Sequence, residues 1–311
     1  MSEKVKAVSR KEAAISKQVN QRLKEEAEFK KKRENDLRLS NSSAAMLQTC
    51  QQKWFHYKVN KYKPDSDSLR SDALEIGTVF HAMLEYTMHS PTIPKDYFVE
   101  LLQKYQLSHK KAQIHAMLLK YLLLHKKSGL ECIHCEYEIV HPFASGYIDA
   151  VMVDPKGLWY IVDLKTAARL SETLLKRLHN DYQLTLYSLF KSEMVKDLKL
   201  NKDKFRGVRY RSTTKPTLIR RSTETYVEYV KRCVKQIRSI DVLVPPKELN
   251  RKGIMETHKR LYDLSQKLRS GALTPLKNFK ACDDYFRPCD YWSRCHGSNF
   301  TESPELRMLE V

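Results

Sequence analysis

Two carboxylates and an ammonium group stand where a tight turn would bring them together. Residues 154–157, with the sequence Asp-Pro-Lys-Gly, join two apolar segments. A three-residue loop suits this turn, because proline presets its first position and glycine takes the left-handed one. Counting back from that loop, Asp149 faces Asp163 across the hairpin. Lys165 shares the face of Asp163, because alternate residues of a strand point the same way.

This arrangement predicts a site for a hard divalent cation. Asp149 and Asp163 would repel each other at the ends of mostly apolar strands, and Mg²⁺ prefers carboxylate and carbonyl oxygen as ligands. A two-residue loop would shift the register by one and separate the carboxylates onto opposite faces. A cross-strand ion pair with Lys165 on a wet sheet face is the structural alternative.

Two further groups of polar residues recur at helical spacing beside the predicted hairpin. Gly77, His81 and Glu85 are four residues apart and therefore share one helix face. Gln183 and Tyr187 have the same spacing after the hairpin. Each group alone has an ordinary structural explanation, and the order of all the groups along the chain carries the argument.

The pattern of apolar residues predicts the elements that position these side chains. Helices are predicted at about 40–57, 72–88, 95–127 (one or two helices), 170–192, 223–240 and 252–270. Alternating β-branched and aromatic residues predict strands at about 131–140, 146–153, 158–164 and 205–212. This order predicts an α/β or α+β fold with a small mixed central sheet flanked by helices.

The chain divides by composition into an extension and a folded domain. Residues 1–39 alternate Lys and Arg with Glu and carry few large apolar side chains, which predicts a charged helical or flexible extension. Residues 40–311 are predicted to form the domain, beginning at a cluster of N-cap residues at 40–43. The segment 277–297 is predicted to be irregular.

The charge balance predicts a polyanionic partner. The 56 Lys and Arg residues against 37 Asp and Glu give a formal net charge of +19, which favours nucleic acid through counterion release. No apolar stretch approaches the roughly 18 residues of a membrane span, so no membrane partner is expected. The N-terminal residues lack the apolar core of a secretion signal, so we expect an intracellular protein, cytoplasmic or nucleoid-associated.

Four segments, taken in order, resemble the PD-(D/E)XK nuclease superfamily, specifically its RecB-like exonuclease branch. They are GTVFHAMLE at 77–85, GYIDAV at 146–151, VDLKT at 162–166 and YQLTLY at 182–187. The resemblance covers roughly residues 40–298. It implies a restriction-endonuclease-like nuclease core with helical N-terminal and cysteine-bearing C-terminal additions.

The resemblance also implies a role for each residue of the hairpin. Asp149, Asp163 and the backbone carbonyl of Leu164 would hold a catalytic Mg²⁺ or Mn²⁺ ion, and His81 would complete the metal site. Lys165 would position or deprotonate the attacking water.

The same resemblance assigns the helical residues. Gln183 and Tyr187 match the Gln-x-x-x-Tyr signature of the family, which looks like a DNA-positioning element. Glu85 is a weaker candidate, because an exposed helix residue explains it equally well.

Four of the seven cysteines predict a metal centre. Cys50 lies in the first predicted helix, and Cys282, Cys289 and Cys295 cluster near the C-terminus. This arrangement is similar to the iron–sulfur clasp of AddB-type nucleases, and it implies a 4Fe–4S cluster that ties Cys50 to residues 280–298. Six residues separate Cys282 from Cys289 where the family commonly has two, and zinc is the alternative metal.

The remaining cysteines are predicted to be packed. Cys132 and Cys135 look like half a zinc site, but on a strand they would face opposite ways or be buried as small apolar groups. Cys233 lies on a predicted helix and is expected to be packed there.

The leading functional hypothesis is a metal-dependent DNA exonuclease of recombination, repair or replication that acts on DNA with a single-stranded or free end. The alternative is a non-catalytic DNA-binding or scaffolding subunit, which the intact Asp149, Asp163 and Lys165 disfavour. No Gly-x-x-x-x-Gly-Lys-Ser/Thr motif is present. The chain is therefore expected to be a solitary nuclease, which would suit a virus-infected host cell, or a subunit that works with other replication or recombination proteins.

Overall fold

The computed structural model describes residues 37–64, 72–89, 93–284 and 287–296. Most of the extension predicted at 1–39 lies outside these ranges, as does the part of the predicted clasp beyond residue 296. Leu39, which was assigned to the extension, is buried and begins the first strand of the sheet. No helix within the described ranges is long and apolar enough to cross a membrane.

A six-stranded mixed sheet forms the centre of residues 39–311. Its strands are β1 (Leu39–Ser40), β2 (Glu131–Val140), β3 (Ala144–Val153), β4 (Trp159–Ala167), β5 (Phe205–Thr214) and β6 (Ser239–Val244). Their order is β1-β3-β4-β5-β6, with β2 paired to β3. The β4–β5 and β1–β3 pairs are parallel, and the β2–β3, β3–β4 and β5–β6 pairs are antiparallel.

Helices surround this sheet and confirm the predicted fold class. They are α1 (Asn41–Thr49), α2 (Gln51–Lys58), α3 (Asp72–His89), α4 (Lys95–Lys104), α5 (Lys111–Ser128), α6 (Glu172–Arg177), α7 (Tyr182–Leu189), α8 (Lys191–Asp197), α9 (Tyr226–Gln236), α10 (Arg251–Arg269) and α11 (Trp292–His296). A small hairpin of β7 (Asp283–Asp284) and β8 (Arg287–Pro288) precedes α11.

Helices α5 and α7 cover opposite faces of the sheet. Tyr210 on β5 belongs to the apolar cluster that includes Leu184 of α7 and Phe190. Its neighbour Arg211 donates to the hydroxyl of Tyr121 on α5 at 3.5 Å. Successive residues of a strand point to opposite faces, so the sheet is covered on both sides and its central strands are apolar.

The helix predicted at 40–57 is two helices. Cys50 separates them because its backbone is extended (φ −159°, ψ 115°), and its Sγ accepts the N–H of Lys53 in the first turn of α2 at 3.5 Å. Ser40 caps α1 by accepting the N–H of Ser43 at 3.2 Å. The prediction missed the break because periodicity continues through it.

Two other predicted helices were too long. The segment 170–192 is divided into α6, a 3₁₀ turn at Leu178–Asn180 and α7, because the extended Asp181 caps α7 by accepting the N–H of Leu184 at 2.9 Å. The helix predicted at 223–240 ends at Gln236, and strand β6 follows it antiparallel to β5. Strand β6 was missed because it is short and directly follows an amphipathic helix.

Candidate active site

The β3–β4 hairpin has the predicted register. The backbone N–H of Asp154 donates to the carbonyl of Leu158 at 2.9 Å, which closes the three-residue loop. The ladder continues from there as far as the pair that includes Ala150, and the next position on each strand is Asp149 and Asp163. The prediction from turn chemistry is therefore confirmed.

The two strands separate at these carboxylates. Beyond the last ladder pair, Asp149 accepts the backbone N–H of Leu164 through Oδ2 at 2.6 Å. The carboxylate thus takes a donor that a ladder carbonyl would otherwise use, so that Asp149 is held between β3 and β4. Leu164 lies between Asp163 and Lys165 on β4, so the three residues of this strand that were predicted to belong to the site are consecutive.

Lys165 contacts the more deeply buried of the two acids. Its Nζ lies 2.7 Å from Oδ1 of Asp163, whose side chain is 1% exposed. Burial would lower the pKa of Lys165, but the charges of Asp163 and Asp149 outweigh burial and raise it above its ordinary value. Lys165 is therefore a firmly protonated ammonium group in this metal-free arrangement.

Helix α3 brings His81 to the other acid. The helix can pass close to β4 because Gly77 has no side chain, and a Cβ there would lie 3.3 Å from Oγ1 of Thr166. One turn later, Nδ1 of His81 lies 3.5 Å from Oδ1 of Asp149. Burial would lower the pKa of His81, but the hydrogen bond and charge of Asp149 raise it above the ordinary value.

The two carboxylates have opposite pKa shifts. Burial raises the pKa of Asp163 to about 7, and Lys165 offsets only part of that effect. Burial acts on Asp149 as well, but His81, Lys165 and the N–H of Leu164 together hold its pKa below the ordinary value. At neutral pH Asp149 is a carboxylate, whereas Asp163 exchanges a proton.

The Gln183–Tyr187 pair lies against β3, with Tyr187 buried and Gln183 half-buried. Nε2 of Gln183 donates to the Tyr187 hydroxyl at 2.6 Å, and that hydroxyl donates to the backbone carbonyl of Tyr147 at 2.8 Å. Tyr187 is only 5% exposed. Burial, followed by the charges of Asp163 and Asp149, raises its pKa. The pair therefore connects α7 to the strand segment that carries Asp149.

Glu136 on β2 is an acidic neighbour that the sequence analysis missed. It lies between the residues that pair with Ala150 and Ile148, and this places it opposite Asp149 on the neighbouring strand. Its φ of +50° is unusual for a residue with a side chain. Its charge contributes to the raised pKa of His81. The signal for Glu136 is the register of the β2–β3 hairpin, in which counting back from the pair Val140–Ser145 places it opposite Asp149.

Glu85, the weaker candidate, lies on α3 near Cys135 of β2. Its charge contributes to the raised pKa of the Cys135 thiol, after the effects of Cys132 and of burial. Glu85 is two helical turns from Gly77 and one from His81, so it shares their face and lies further along the helix towards β2.

The donor set of the hairpin fits a hard cation chemically. Asp163 Oδ2 is buried and has no hydrogen-bond partner among the described residues. A buried carboxylate oxygen in that state is costly unless a cation or donor satisfies it. Within the described ranges, no three His, Cys, Asp or Glu side chains are arranged closely enough to hold a metal ion. The carboxylates and His81 would therefore have to draw together around one.

The C-terminal segment packs on helices α1 and α2 around Cys50. Lys53 pairs with Asp290 at 2.8 Å, and Asn278 donates its side-chain N–H to the carbonyl of Thr49 at 2.7 Å. These contacts place the two ends of the predicted clasp against each other.

The four clasp cysteines are neighbours but are not in ligating contact. Burial raises the pKa of Cys282, and the charges of Cys289 and Cys50 raise it further. Burial also raises the pKa of Cys295, with smaller contributions from the other three thiols. Sγ of Cys295 also lies 3.6 Å from Nε2 of His56. Cysteine thiols have the donor chemistry of an iron–sulfur or zinc site.

The expectation that Cys132 and Cys135 face opposite ways on their strand was wrong. Their Sγ atoms lie 3.3 Å apart on the same side of β2, and both residues are half-buried. A register shift between Cys132 and His134 adds one residue to β2 and turns both side chains the same way. Cys233 is fully buried on α9.

Comparison with known proteins agrees with this geometry. A sequence profile described as the PD-(D/E)XK nuclease superfamily matches residues 38–296, most of the chain. No curated protein matches the chain. The central mixed sheet flanked by helices is consistent with the restriction-endonuclease-like fold of that superfamily.

Proposed function

Because the chain belongs to the PD-(D/E)XK nuclease superfamily, we propose that it is a Mg²⁺- or Mn²⁺-dependent DNA exonuclease that hydrolyses phosphodiester bonds in recombination, repair or replication. The observation that carries the proposal is the orphaned, buried oxygen of Asp163 beside Lys165 and Asp149. The ion pair with Lys165 engages only Oδ1, so Oδ2 is available to a cation. The net charge of +19 supports a DNA substrate.

The residues of the site divide the work of hydrolysis. Asp149, Asp163 and the Leu164 carbonyl would hold the cation, with His81 as the fourth ligand. A bound divalent cation supplies charge neutralisation at the phosphate and a more acidic water. Lys165, held beside Asp163 as an ammonium group, stabilises negative charge that develops on the phosphate oxygens.

The Gln183–Tyr187 pair is proposed to position the strand that carries Asp149. Tyr187 binds the carbonyl of Tyr147, two residues before Asp149. It therefore fixes the approach of β3 to β4 where the two strands separate. On this proposal the family signature acts on DNA indirectly, through the strand.

The nuclease proposal is tested with end-labelled single- and double-stranded DNA in Mg²⁺ or Mn²⁺. Lys165→Ala is expected to lower the rate by about 100-fold or more, as for loss of a transition-state donor. Lys156→Ala, which removes an exposed lysine from the turn of the same hairpin, is the matched control and should retain its rate. The product ladder of the wild type distinguishes exonucleolytic from endonucleolytic cutting.

Equal degradation by wild type and Lys165→Ala would identify the cutting as contamination. Together with intact DNA binding, that result would support the non-catalytic subunit instead. An endonucleolytic ladder that depends on Lys165 would retain the nuclease and overturn only the exonuclease assignment.

We further propose that Cys50, Cys282, Cys289 and Cys295 hold a 4Fe–4S cluster, with zinc as the alternative metal. The support is that the charges of Cys50 and Cys289 contribute to the raised pKa values of Cys282 and Cys295, and that the C-terminal segment packs beside Cys50. Anaerobic purification should give iron and acid-labile sulfide, which Cys289→Ser should remove. The control Cys233→Ser, which changes a buried cysteine on helix α9, should retain both. One zinc per chain would select the alternative metal, and no metal would refute the clasp.

A further inference from the structure

Three sulfur atoms meet outside the proposed active site and outside the clasp. Sγ of Cys132 and Sγ of Cys135 are 3.3 Å apart, and Sγ of Cys135 is 3.4 Å from Sδ of Met88 on α3. The two cysteines are half-buried, so a small reagent can approach them. Neither the hydrolytic chemistry nor the clasp uses these thiols.

The local backbone holds the two thiols together. In a regular strand, residues three apart point to opposite faces. The register shift between Cys132 and His134 removes that opposition, and Glu136, directly after Cys135, has a φ of +50°. A bulge of this kind is a built feature of a strand that redirects a side chain. Closing a disulfide requires the Sγ separation to shrink from 3.3 Å to about 2.05 Å.

The environment shifts the pKa values of the two thiols in opposite directions. The hydrogen bond with Cys135 lowers the pKa of Cys132 despite burial, and a backbone hydrogen bond of His134 adds to the effect. The same interaction, with burial and the charges of Glu85 and Glu136, raises the pKa of Cys135. A paired Cys-x-x-Cys motif commonly shows this inequality, in which one sulfur is the nucleophile and the other follows.

We propose that Cys132 and Cys135 are a redox-active dithiol that closes to an internal disulfide on β2. The Cys132 thiolate attacks one sulfur of a small-molecule disulfide such as oxidised glutathione, which forms a mixed disulfide and releases one glutathione thiolate. Cys135 then loses its proton and attacks the Cys132 sulfur, releasing the second glutathione. The two thiols lose two protons and two electrons, and two molecules of glutathione leave as thiols.

The cysteine pair lies beside the β3–β4 hairpin. Cys135 pairs with Ala150 on β3, the residue after Asp149. The bulge itself lies between Cys132 and His134, whose partners on β3 are Met152 and Val151. The proposal concerns the dithiol itself and does not depend on the nuclease assignment.

The test is thiol mapping of the purified full-length chain in oxidised glutathione. Trypsin releases residues 128–156 as one peptide that contains Cys132 and Cys135 and no other cysteine. After oxidation and alkylation, this peptide is expected to lack two hydrogens and both alkyl groups, and dithiothreitol should restore both alkylation sites. Cys233, fully buried on α9, is the internal control and should stay reduced.

Two variants test the order of attack. Cys135→Ser should stop at a glutathione adduct on Cys132, whereas Cys132→Ser should leave Cys135 largely unmodified. If the wild-type peptide stays fully alkylatable, or stops at a glutathione adduct without internal closure, the dithiol proposal is wrong. The wild-type result is decisive even if either variant fails to fold, and it requires no nuclease activity.

Discussion

Metal binding at the hairpin should release a proton from Asp163. In the metal-free protein burial raises the pKa of this carboxyl to about 7. A cation has to displace the proton from Asp163 at any pH below that value, and it competes with Lys165 for the ionised oxygen. Acidification is therefore expected to weaken metal binding, whereas an exposed aspartate would show no such effect above its ordinary pKa.

The size of the effect follows from the pKa. An acid with a pKa of about 7 is about one-tenth protonated one unit above it and about nine-tenths protonated one unit below it. The apparent dissociation constant for Mn²⁺ should therefore rise about tenfold from about pH 8 to about pH 6, or by about 1.4 kcal/mol. His81, whose pKa is also raised, adds to the weakening in the same direction.

Calorimetric titration with Mn²⁺ in two buffers of different ionisation enthalpy measures both the affinity and the protons released. The His81→Gln background isolates the proton of Asp163. Asp203→Asn, an exposed carboxyl on another segment, is the control and should keep the wild-type slope. If the affinity of the His81→Gln protein does not change with pH, or Asp163→Asn binds Mn²⁺ with unchanged affinity and slope, the assignment of Asp163 as a ligand is refuted.

Three further predictions concern the scaffold. In urea titrations, Gly207→Ala should lower the free energy of unfolding by about 3 kcal/mol or more, because φ there is +128° and a Cβ would collide with a backbone carbonyl. Gly129→Ala should lower it by only about 1 kcal/mol, because φ there is +64° but a Cβ would lie in open space. Tyr187→Phe should lower stability by about 1–2 kcal/mol through its lost hydrogen bonds, and a turnover equal to wild type would contradict its positioning role. Asp241→Ala should cost about 3–5 kcal/mol because it leaves the buried Arg211 guanidinium unpaired, and thermal melts that match wild type would contradict that reasoning.

The part of the site that could be predicted from the sequence depends on local chemistry. The turn at 154–157 selects one loop length, and the loop length fixes the register for the whole hairpin. Asp149 and Asp163 were therefore placed together from a few residues of sequence. The helical spacing of Gly77 and His81 placed both residues on one face, although the contact with Asp149 needed the tertiary structure.

The features that were missed depend on interactions between distant segments. Strand β6 forms because β5 offers a free edge, and Asp241 on β6 binds Arg209 and Arg211 of that strand. The sequence of residues 239–244 alone does not indicate which residues they contact. The same holds for the bulge beside Cys135, since a register shift appears only when β2 is paired with β3.

The opposite pKa shifts of the two acids follow from where the hairpin places them. Asp149 lies where β3 and β4 separate, so that a backbone N–H and His81 can reach its oxygens and keep it ionised. Asp163 faces Asp149 on β4 and is more deeply buried, and Lys165 reaches only one of its oxygens. Groups whose surroundings separate their pKa values in this way can take different roles at one pH. On the proposed metal assignment, Asp149 would offer the cation a carboxylate that is already ionised, and Asp163 would serve as a full ligand only after losing its proton.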